Sequence, residues 1–522
     1  MNQNTMGEEF KPKYALKVVN TLTREKQLFE TLTPGYVGMY VCGPTVYNEV
    51  HLGNCRTFFS FDVIYRYLLY LGYKVRYVRN ITDVGHLVGD VDEGEEDKIS
   101  KQARLEQLEP MEIVQKYSNQ FHKVLGQLNN LPPSIEPRAT GHLIEQIEMV
   151  KEILANGYAY ESKGSVYFDT QKLIKEGKAV YDYGTLSGKK QEDLLTETRD
   201  DLKNQSDKRH SSDFAIWVKA SDQHIMRWPS PWSVGYPGWH LECSAMSTKY
   251  LGKQFDIHGG GMDLEFPHHE NEIAQNIGAC GCQPVKYWLH TNMLLLNGKK
   301  MSKSDGNSIT PAELFTGNNS LLSKAYSPMV FRYFMLQAHY SGELNITDKG
   351  LAAAEKGYRR LMDANQALQA LKHSGQENVG GEDQQINVLL DKAFEAMNDD
   401  FNTAAAIGKL NGVVAKINSL ANGRLDMSSI KASTLERMQT VFNELLFDVF
   451  GLLDEQSGAA STGTSNQGQL LEAAMQVVLE LRQEARTNKD WATSDLIRDR
   501  LQEAGIQIKD SKEGASWSKM LS

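Results

Sequence analysis

The sequence predicts an α/β protein built on a doubly wound parallel sheet. Two observations carry the first half of that sheet. YVGMYVCG reads as a buried strand ending at Gly43, and KVRYVRNIT (Lys74 to Thr82) reads as a second, rich in β-branched and aromatic residues. Between them HLGNCRTFFSFDVIYRYLLYLGY has helical periodicity, with Phe58, Phe61, Tyr65, Leu68 and Leu69 on one face and Gly72 as a stop. Strand, helix and strand over so short a span imply a right-handed βαβ unit of the Rossmann type. Ligands in such folds bind at the C-terminal strand ends, here near Cys42 and Gly43. The third observation is PGWHLECSAMSTKYLGKQFDIHGGGMDL, which returns to strand, helix, strand and a Gly-rich turn and so supplies a second half.

The remaining elements follow in order. A short polar lead ends near Tyr36. The first half of the sheet domain spans 1–130; it includes an acidic, Gly-rich, solvated excursion from Gly85 to Lys101 and helices up to about Gly126. Residues 131–232 read as a connective insertion with a helix, a Gly turn, the short strand GSVYFDT and a polar, charged run. The second half of the sheet domain covers 233–330, and 331–456 is mostly helical, a bundle. SGAASTGTSNQGQ (457–469) reads as a flexible linker, and 470–522 as a small last domain opening on a helix pair.

Composition bounds the function. With 522 residues, 41% hydrophobic and 23% charged, the chain is an ordinary globular protein of several domains, which excludes disordered, collagen-like and disulfide-built classes. The net charge of −10 argues against a uniformly basic nucleic-acid coat and leaves room for a local basic surface. Five scattered cysteines (Cys42, Cys55, Cys243, Cys280, Cys282) point to a reducing, cytoplasmic setting in which an important Cys is a metal ligand or a nucleophile. The N-terminus has no apolar core of a signal peptide, and no run is long enough to span a membrane.

Two groups of motifs carry chemistry. CGPTVY, GWHLEC and FPHHENE bring Cys42, Cys243, His268 and Glu272; the last two stand one helical turn apart and share a face. Two thiolates, an imidazole and a carboxylate can complete a tetrahedral zinc site. The other reading of the same cysteines is as buried small hydrophobes, and both stay open on spacing alone. His269 is expected to point elsewhere on the helix, as a supporting or nucleotide-side group. Cys55, Cys280 and Cys282 are not assigned to the site. The second group is HLGN (His51 to Asn54), opening a helix whose free N–H groups suit an anion, and KMSKS (Lys300 to Ser304), whose lysines suit a polyphosphate. HGGG (His258 to Gly261) adds bare backbone for close approach of a base or ribose. An ordinary helix cap and a solvated basic loop are the plain alternatives.

HLGN and KMSKS resemble the two signatures of the class I aminoacyl-tRNA synthetases. CGPTVYNEVHLGNCRTFFSFD, YVRNITD, PGWHLECSAM, GGGMDLEFPHHENE and KMSKSDGN together resemble the cysteinyl-tRNA synthetases, and the likeness continues through FNTAAAI and KDWATSDLIRDRL. The resemblance implies a Rossmann-type catalytic domain with an insertion, a helical bundle and a C-terminal anticodon-binding domain. It implies one zinc ion on Cys42, Cys243, His268 and Glu272, with the substrate thiol on the metal, and ATP with Mg2+ as substrate. His51, Asn54, Lys300 and Lys303 become the expected catalytic groups. Gly43, Thr45, Gly53, His258, Gly259, Gly260 and Lys303 become the ATP contacts, and Thr82, Trp239 and Asp263 the amino-acid pocket. One departure stands out: the first signature usually ends in His, and here it ends in Asn54, which cannot carry the imidazolium charge.

The activity so implied is cysteine activation to cysteinyl-adenylate and transfer to tRNA(Cys), by a monomer without membrane attachment. Trp491 would stack on an unpaired base, with Arg486, Asp495 and Asp510 on base edges; packing within the helix pair is the alternative for Trp491. Two rival functions share these motifs. One is a ligase joining cysteine to a sugar-inositol amine, which lacks the C-terminal domain, and the other is a non-catalytic zinc-stabilised RNA-binding protein.

Overall fold

The polar lead holds an element its composition did not announce. In the computed structural model β1 (Lys17–Asn20) and β2 (Glu25–Leu28) form an antiparallel hairpin. Val18 is buried, and the Asn20 side chain accepts from the Trp288 N–H at 3.0 Å and donates to the Lys286 carbonyl at 2.9 Å, which docks the hairpin on a later strand. The structure describes residues 10–84, 98–177, 179–189, 207–222, 224–301 and 306–455, then 475, 478–479, 481–488, 490–503, 506–511 and 514–519. It divides into two units, Met1–Leu452 and Leu453–Ser522.

β3 (Tyr36–Val41), α1 (Leu52–Tyr70) and β4 (Lys74–Arg79) form the expected βαβ unit, and β3 and β4 pair in parallel. Phe58, Phe61 and Leu68 are buried as the periodicity requires, Tyr65 is half-buried and Leu69 is exposed. The helix is covered on more than one side, so Asp62 and Arg66 are buried too. Gly72, at φ 94°, follows the C-cap and ends it. The acidic excursion lies outside the described residues as far as 97. α2 (Lys98–Glu106), α3 (Pro110–Gln127) and α4 (Leu143–Ala155) come next.

The insertion is richer in strand than its sequence suggests. β5 (Ala159–Ser162), β6 (Ser165–Phe168), β7 (Phe214–Lys219), β8 (Trp228–Pro229) and β9 (Val234–Pro237) form a five-stranded antiparallel sheet in the order β5-β6-β7-β9-β8. Only β6 is legible in the sequence, because the other strands are short and are separated by polar stretches. Much of the charged run, 190–206, lies outside the described residues.

α5 (Trp239–Leu251), β10 (Phe255–Gly261), α6 (Glu270–Cys280) and β11 (Val285–Thr291) complete the core. The parallel sheet has the order β11-β10-β3-β4. The chain winds from β3 outward to β4 on one side and from β10 outward to β11 on the other. The order therefore reverses between β3 and β10, and a crevice opens at their C-terminal ends. This corrects one expectation: His258–Gly261 is the end of strand β10, not a turn. Its glycines serve packing, since a Cβ on Gly259 would lie 2.0 Å from the Phe61 ring on α1.

Beyond the core, β12 (Leu294–Leu296) pairs with β13 (Lys299–Lys300); α7 (Pro311–Thr316), α8 (Pro328–Leu336) and β14 (Leu344–Ile346) follow, and β14 pairs with β12 in parallel. The helical region is α9 (Asp348–Ala370), α10 (Gly381–Asn398), α11 (Thr403–Ala421) and α12 (Ala432–Asn443). A buried ion cluster ties it to α1: Arg332 reaches the Asp62 carboxylate and donates to the Phe450 carbonyl at 2.6 Å, while Arg66 donates to Asp62 at 2.9 Å.

In the second unit, residues 481–487 are helical and α13 (Trp491–Glu503) leads into an antiparallel hairpin of β15 (Ile506–Ser511) and β16 (Gly514–Lys519). The sequence announces the helices and not the hairpin. The linker 457–469 lies outside the described residues.

Candidate active site

Cys42 is the first residue past β3. Its neighbour Gly43 donates to Asn80 Oδ1 at 2.8 Å, and a Cβ at Gly43 would fall 1.6 Å from the Asn80 carbonyl, so only glycine lets the chain turn there. Cys243 projects from α5, and its Sγ lies 3.7 Å from that of Cys42. Glu272 Oε1 is 3.7 Å from Cys42 Sγ and 3.2 Å from His268 Nε2. The four side chains are buried, Cys42 at 6% exposure and the others at 1–2%, and their donor atoms all lie within 4.8 Å of one another. The sequence-predicted set is thus brought together from three segments of the chain.

The cluster is larger than that set. His269 Nε2 lies 3.2 Å from Cys42 Sγ and His258 Nε2 lies 2.9 Å from Glu272 Oε2, so Cys42, His258, His269 and Glu272 form a second, overlapping group. His269 therefore faces the cluster instead of pointing elsewhere: the helical run that begins past the kink at Phe266 presents both His268 and His269 to the same buried group. His258 faces inward against Trp288, stacked at 4.6 Å, and not toward an open nucleotide surface. Behind them, His240 Nδ1 lies 3.0 Å from His268 Nδ1, and His290 Nε2 lies 2.7 Å from His269 Nδ1. Sequence reasoning missed His240 and His290. His240 was within reach, since it stands in the quoted GWHLEC motif beside Cys243, whereas His290 lies on β11, a strand that sequence reasoning did not single out.

Burial sets the electrostatics. It pushes the Cys42 and Cys243 thiols and the Glu272 carboxyl up, and the His269 imidazole down. His240 and His290 are held down to about 3 by the same desolvation. A cavity that disfavours the charged forms of Cys42, Cys243 and Glu272 on their own, yet gathers donors of zinc-binding type, fits a cation that would compensate them together.

The two residues between His269 and Glu272 do another job. Glu270 accepts from Tyr181 Oη at 2.5 Å and from the Gly184 N–H at 2.6 Å, and Asn271 accepts from Tyr183 Oη at 2.5 Å. These bonds pin residues 181–187 of the insertion to the cluster helix.

Trp239 stands with its ring 4.4 Å from that of His268, at the edge of the cluster. Thr82 is buried, and its hydroxyl donates to Glu242 at 2.9 Å, next to Cys243. Thr45 bridges to Thr82. Asp263 is exposed just past β10, beside Gly261.

The two signatures also meet. His51 caps α1: its ring accepts from the Asn54 N–H at 3.3 Å, while Asn54 Oδ1 accepts from the His51 N–H at 3.2 Å. The departure at Asn54 therefore has a structural role, a reciprocal capping box. A Cβ on Gly53 would lie 3.5 Å from the Met301 methyl of KMSKS. Lys300 is exposed on β13, and Lys303 lies outside the described residues.

Within the second unit Trp491 is 59% exposed. Arg486 is half-buried and Asp495 pairs with Arg498 at 3.0 Å; Asp510 lies on β15, and its side chain is outside the description.

Comparison with known proteins matches three family models in chain order: the class I (C) tRNA synthetase catalytic domain over 28–356, the DALR domain over 393–454 and the cysteinyl-tRNA ligase anticodon-binding domain over 469–517. The cysteine–tRNA ligase of Bacteroides fragilis is 52% identical over 504 residues, covering 97% of this chain and 99% of that protein. That of Deinococcus radiodurans is 45% identical over 522 residues, covering 99% and 100%. The chain belongs to the cysteine–tRNA ligase family. It is by family a class I aminoacyl-tRNA synthetase, and neither rival reading is favoured: the full-length relatives and the matched C-terminal model supply the tail that a sugar-amine ligase lacks. Among solved structures, Mycobacterium tuberculosis methionyl-tRNA synthetase with methionyl-adenylate superposes at TM-score 0.55 and 15% identity, covering 79% of this chain and 89% of that one, a likeness of fold. Cys280 and Cys282 are joined by a disulfide across Gly281, while Cys42, Cys55 and Cys243 carry free thiols. No described helix is long and apolar enough to cross a membrane.

Proposed function

We propose that this chain activates L-cysteine with ATP and transfers it to tRNA(Cys), and that Cys42, Cys243, His268 and Glu272 hold one zinc ion. The observation that carries the reading is the convergence of those four buried donors at the crevice between β3 and β10. Between the two overlapping groups, this one has both soft thiols, the ligands zinc favours. Bound there, zinc would supply a soft Lewis acid that prefers a thiolate to an alkoxide, which is the chemical difference between cysteine and serine. Shape alone would separate such near-isosteres only about 10–200-fold.

This chain's own residues do the rest by positioning and charge. Trp239 walls the amino-acid side, beside His268. The capped start of α1, with His51, Gly53 and Asn54, receives the triphosphate, together with Gly43, Thr45, Gly259 and Gly260 on the crevice. As the cysteine carboxylate attacks the α-phosphorus, Lys300 and Lys303 oppose the charge that grows on leaving pyrophosphate. Asp263, just past the end of β10, is a substrate contact; Thr82 supports the pocket through Glu242. The exposed Trp491 stacks on an anticodon base, helped by Arg486, Asp495 and Asp510. A cytoplasmic monomer is the setting we infer.

The test is pyrophosphate exchange with cysteine and with serine, alongside metal analysis. Cys243→Ala should lose zinc and its preference for cysteine. Full selectivity without metal would overturn the reading. Truncation after residue 456 should spare exchange and abolish tRNA charging; equal loss of both would count against the tRNA assignment.

A further inference from the structure

Arg56 stands five residues past His51 on α1 and is 2% exposed. Among the described residues its guanidinium hydrogen bonds all go to backbone carbonyls: Nη1 donates to Met293, and Nη2 donates to Gly342 and, at 3.3 Å, to His339. Burial lowers it to about 10, against an opposing pull from Glu343, so it stays charged at neutral pH. A buried cation spent on three carbonyls is a strut. Guanidinium suits that use, because its donors leave a rigid plane in fixed directions, whereas an ammonium is a point charge on a flexible stem.

The carbonyls it holds are informative. Met293 precedes β12, which carries β13 and Lys300 by antiparallel pairing, and Gly342 precedes β14, the other neighbour of β12. The joint is reinforced by the Asn292 side chain, which donates to the Ser341 carbonyl at 3.0 Å, and by the Leu344 N–H on the Met293 carbonyl at 3.2 Å. One turn above, Met301 lies against Gly53. The two signatures, far apart in sequence, thus touch at their tips and are bound at their base by one side chain.

We propose that Arg56 is a positioning residue that sets the spacing between the His51–Asn54 helix start and the Lys300 hairpin, and so governs adenylate formation without governing cysteine recognition. The inference rests on the reading of His51 and Lys300 as triphosphate groups. Arg56 touches none of the thiol, imidazole and carboxylate cluster, so its loss should displace phosphate groups and leave the cysteine pocket in place. A displacement of about 1 Å costs on the order of a hundredfold in rate.

The experiment is cysteine-dependent pyrophosphate exchange by the full-length, metal-loaded enzyme carrying Arg56→Lys, Arg56→Gln or Asn292→Ala, assayed well below its melting temperature. For Arg56→Lys, kcat should fall about 10–100-fold and the KM for ATP should rise, with the KM for cysteine and the preference over serine within about twofold of wild type. Arg56→Gln should show the same split more strongly, and Asn292→Ala more weakly. A folded Arg56→Lys with kcat and ATP KM unchanged overturns the inference. So does a cysteine KM that rises in step with that for ATP, the mark of general loosening. If both Arg56 variants unfold, Asn292→Ala decides by the same criteria. His51→Ala and Lys300→Ala run in parallel separate the two levels. Their loss of exchange beside intact Arg56 variants removes only the strut, whereas their own indifference removes the reading beneath it.

Discussion

The thiol cluster and the signature pair are built on opposite principles. Cys42, Cys243, His268 and Glu272 are almost without solvent contact, and imidazoles from several elements back them. His51 and Lys300 are exposed, on a helix start and a two-residue strand. A dry, over-determined donor set can discriminate between sulfur and oxygen, because a wrong ligand has neither water nor a rearranged neighbour to fall back on. A wet helix start with free N–H groups beside a lysine suits a polyphosphate, whose own charge supplies the attraction and whose product must leave. Under the proposed function, selectivity and turnover fall in separate environments.

Four measurements break or sharpen that contrast. The largest effect belongs to the dry side. Stripping the metal with a chelator should cut cysteine-dependent exchange by at least about a thousandfold, with restoration by zinc, while ATP affinity by equilibrium dialysis stays within about twofold; parallel loss of ATP binding would mean the two regions are one. Next, Lys300→Ala should lower exchange by about 10–1,000-fold with metal content and the cysteine-to-serine ratio unchanged. A changed ratio would move selectivity out of the cluster.

The third is the pH dependence of stability. His240 and His290 are held down to about 3 by burial, whereas the unfolded chain protonates its histidines near pH 6.5. The unfolded state therefore binds more protons below that value, and the stability present above it is lost as pH falls toward 3. His290→Gln should flatten the decline in melting temperature between pH 6.5 and 4; an unchanged slope would mean that His290 is not buried neutral. The smallest is Asn54→Ala. It removes half of the capping box, worth about 1 kcal/mol, and should raise the KM for ATP a few-fold with no effect on that for cysteine.

Much of this was legible in the chain. Period and turn residues located β3, α1, β4 and the return to the sheet at α5 and β10, because core strands and a packed helix leave strong local patterns. The insertion sheet and the β1–β2 hairpin were not, since short strands stabilised by their neighbours carry little signal of their own. Among site residues, Asn54 shows the limit most clearly. Its identity was plain as a departure from the signature, and its purpose emerged only from the reciprocal bonds with His51.

By itself, then, the sequence determined the residue types: thiols, imidazoles and a carboxylate in one set of motifs, lysines and a helix start in another, on an α/β frame. Tertiary structure alone decided which of them meet. Winding outward from β3 and from β10 puts the reversal point where Cys42 ends one strand and His258 lies in the next, and it draws His269 in among the ligands. It likewise set Arg56 under both signatures. The physical reason is that a donor's chemistry is local, whereas its partners are fixed by strand order and by packing between segments hundreds of residues apart.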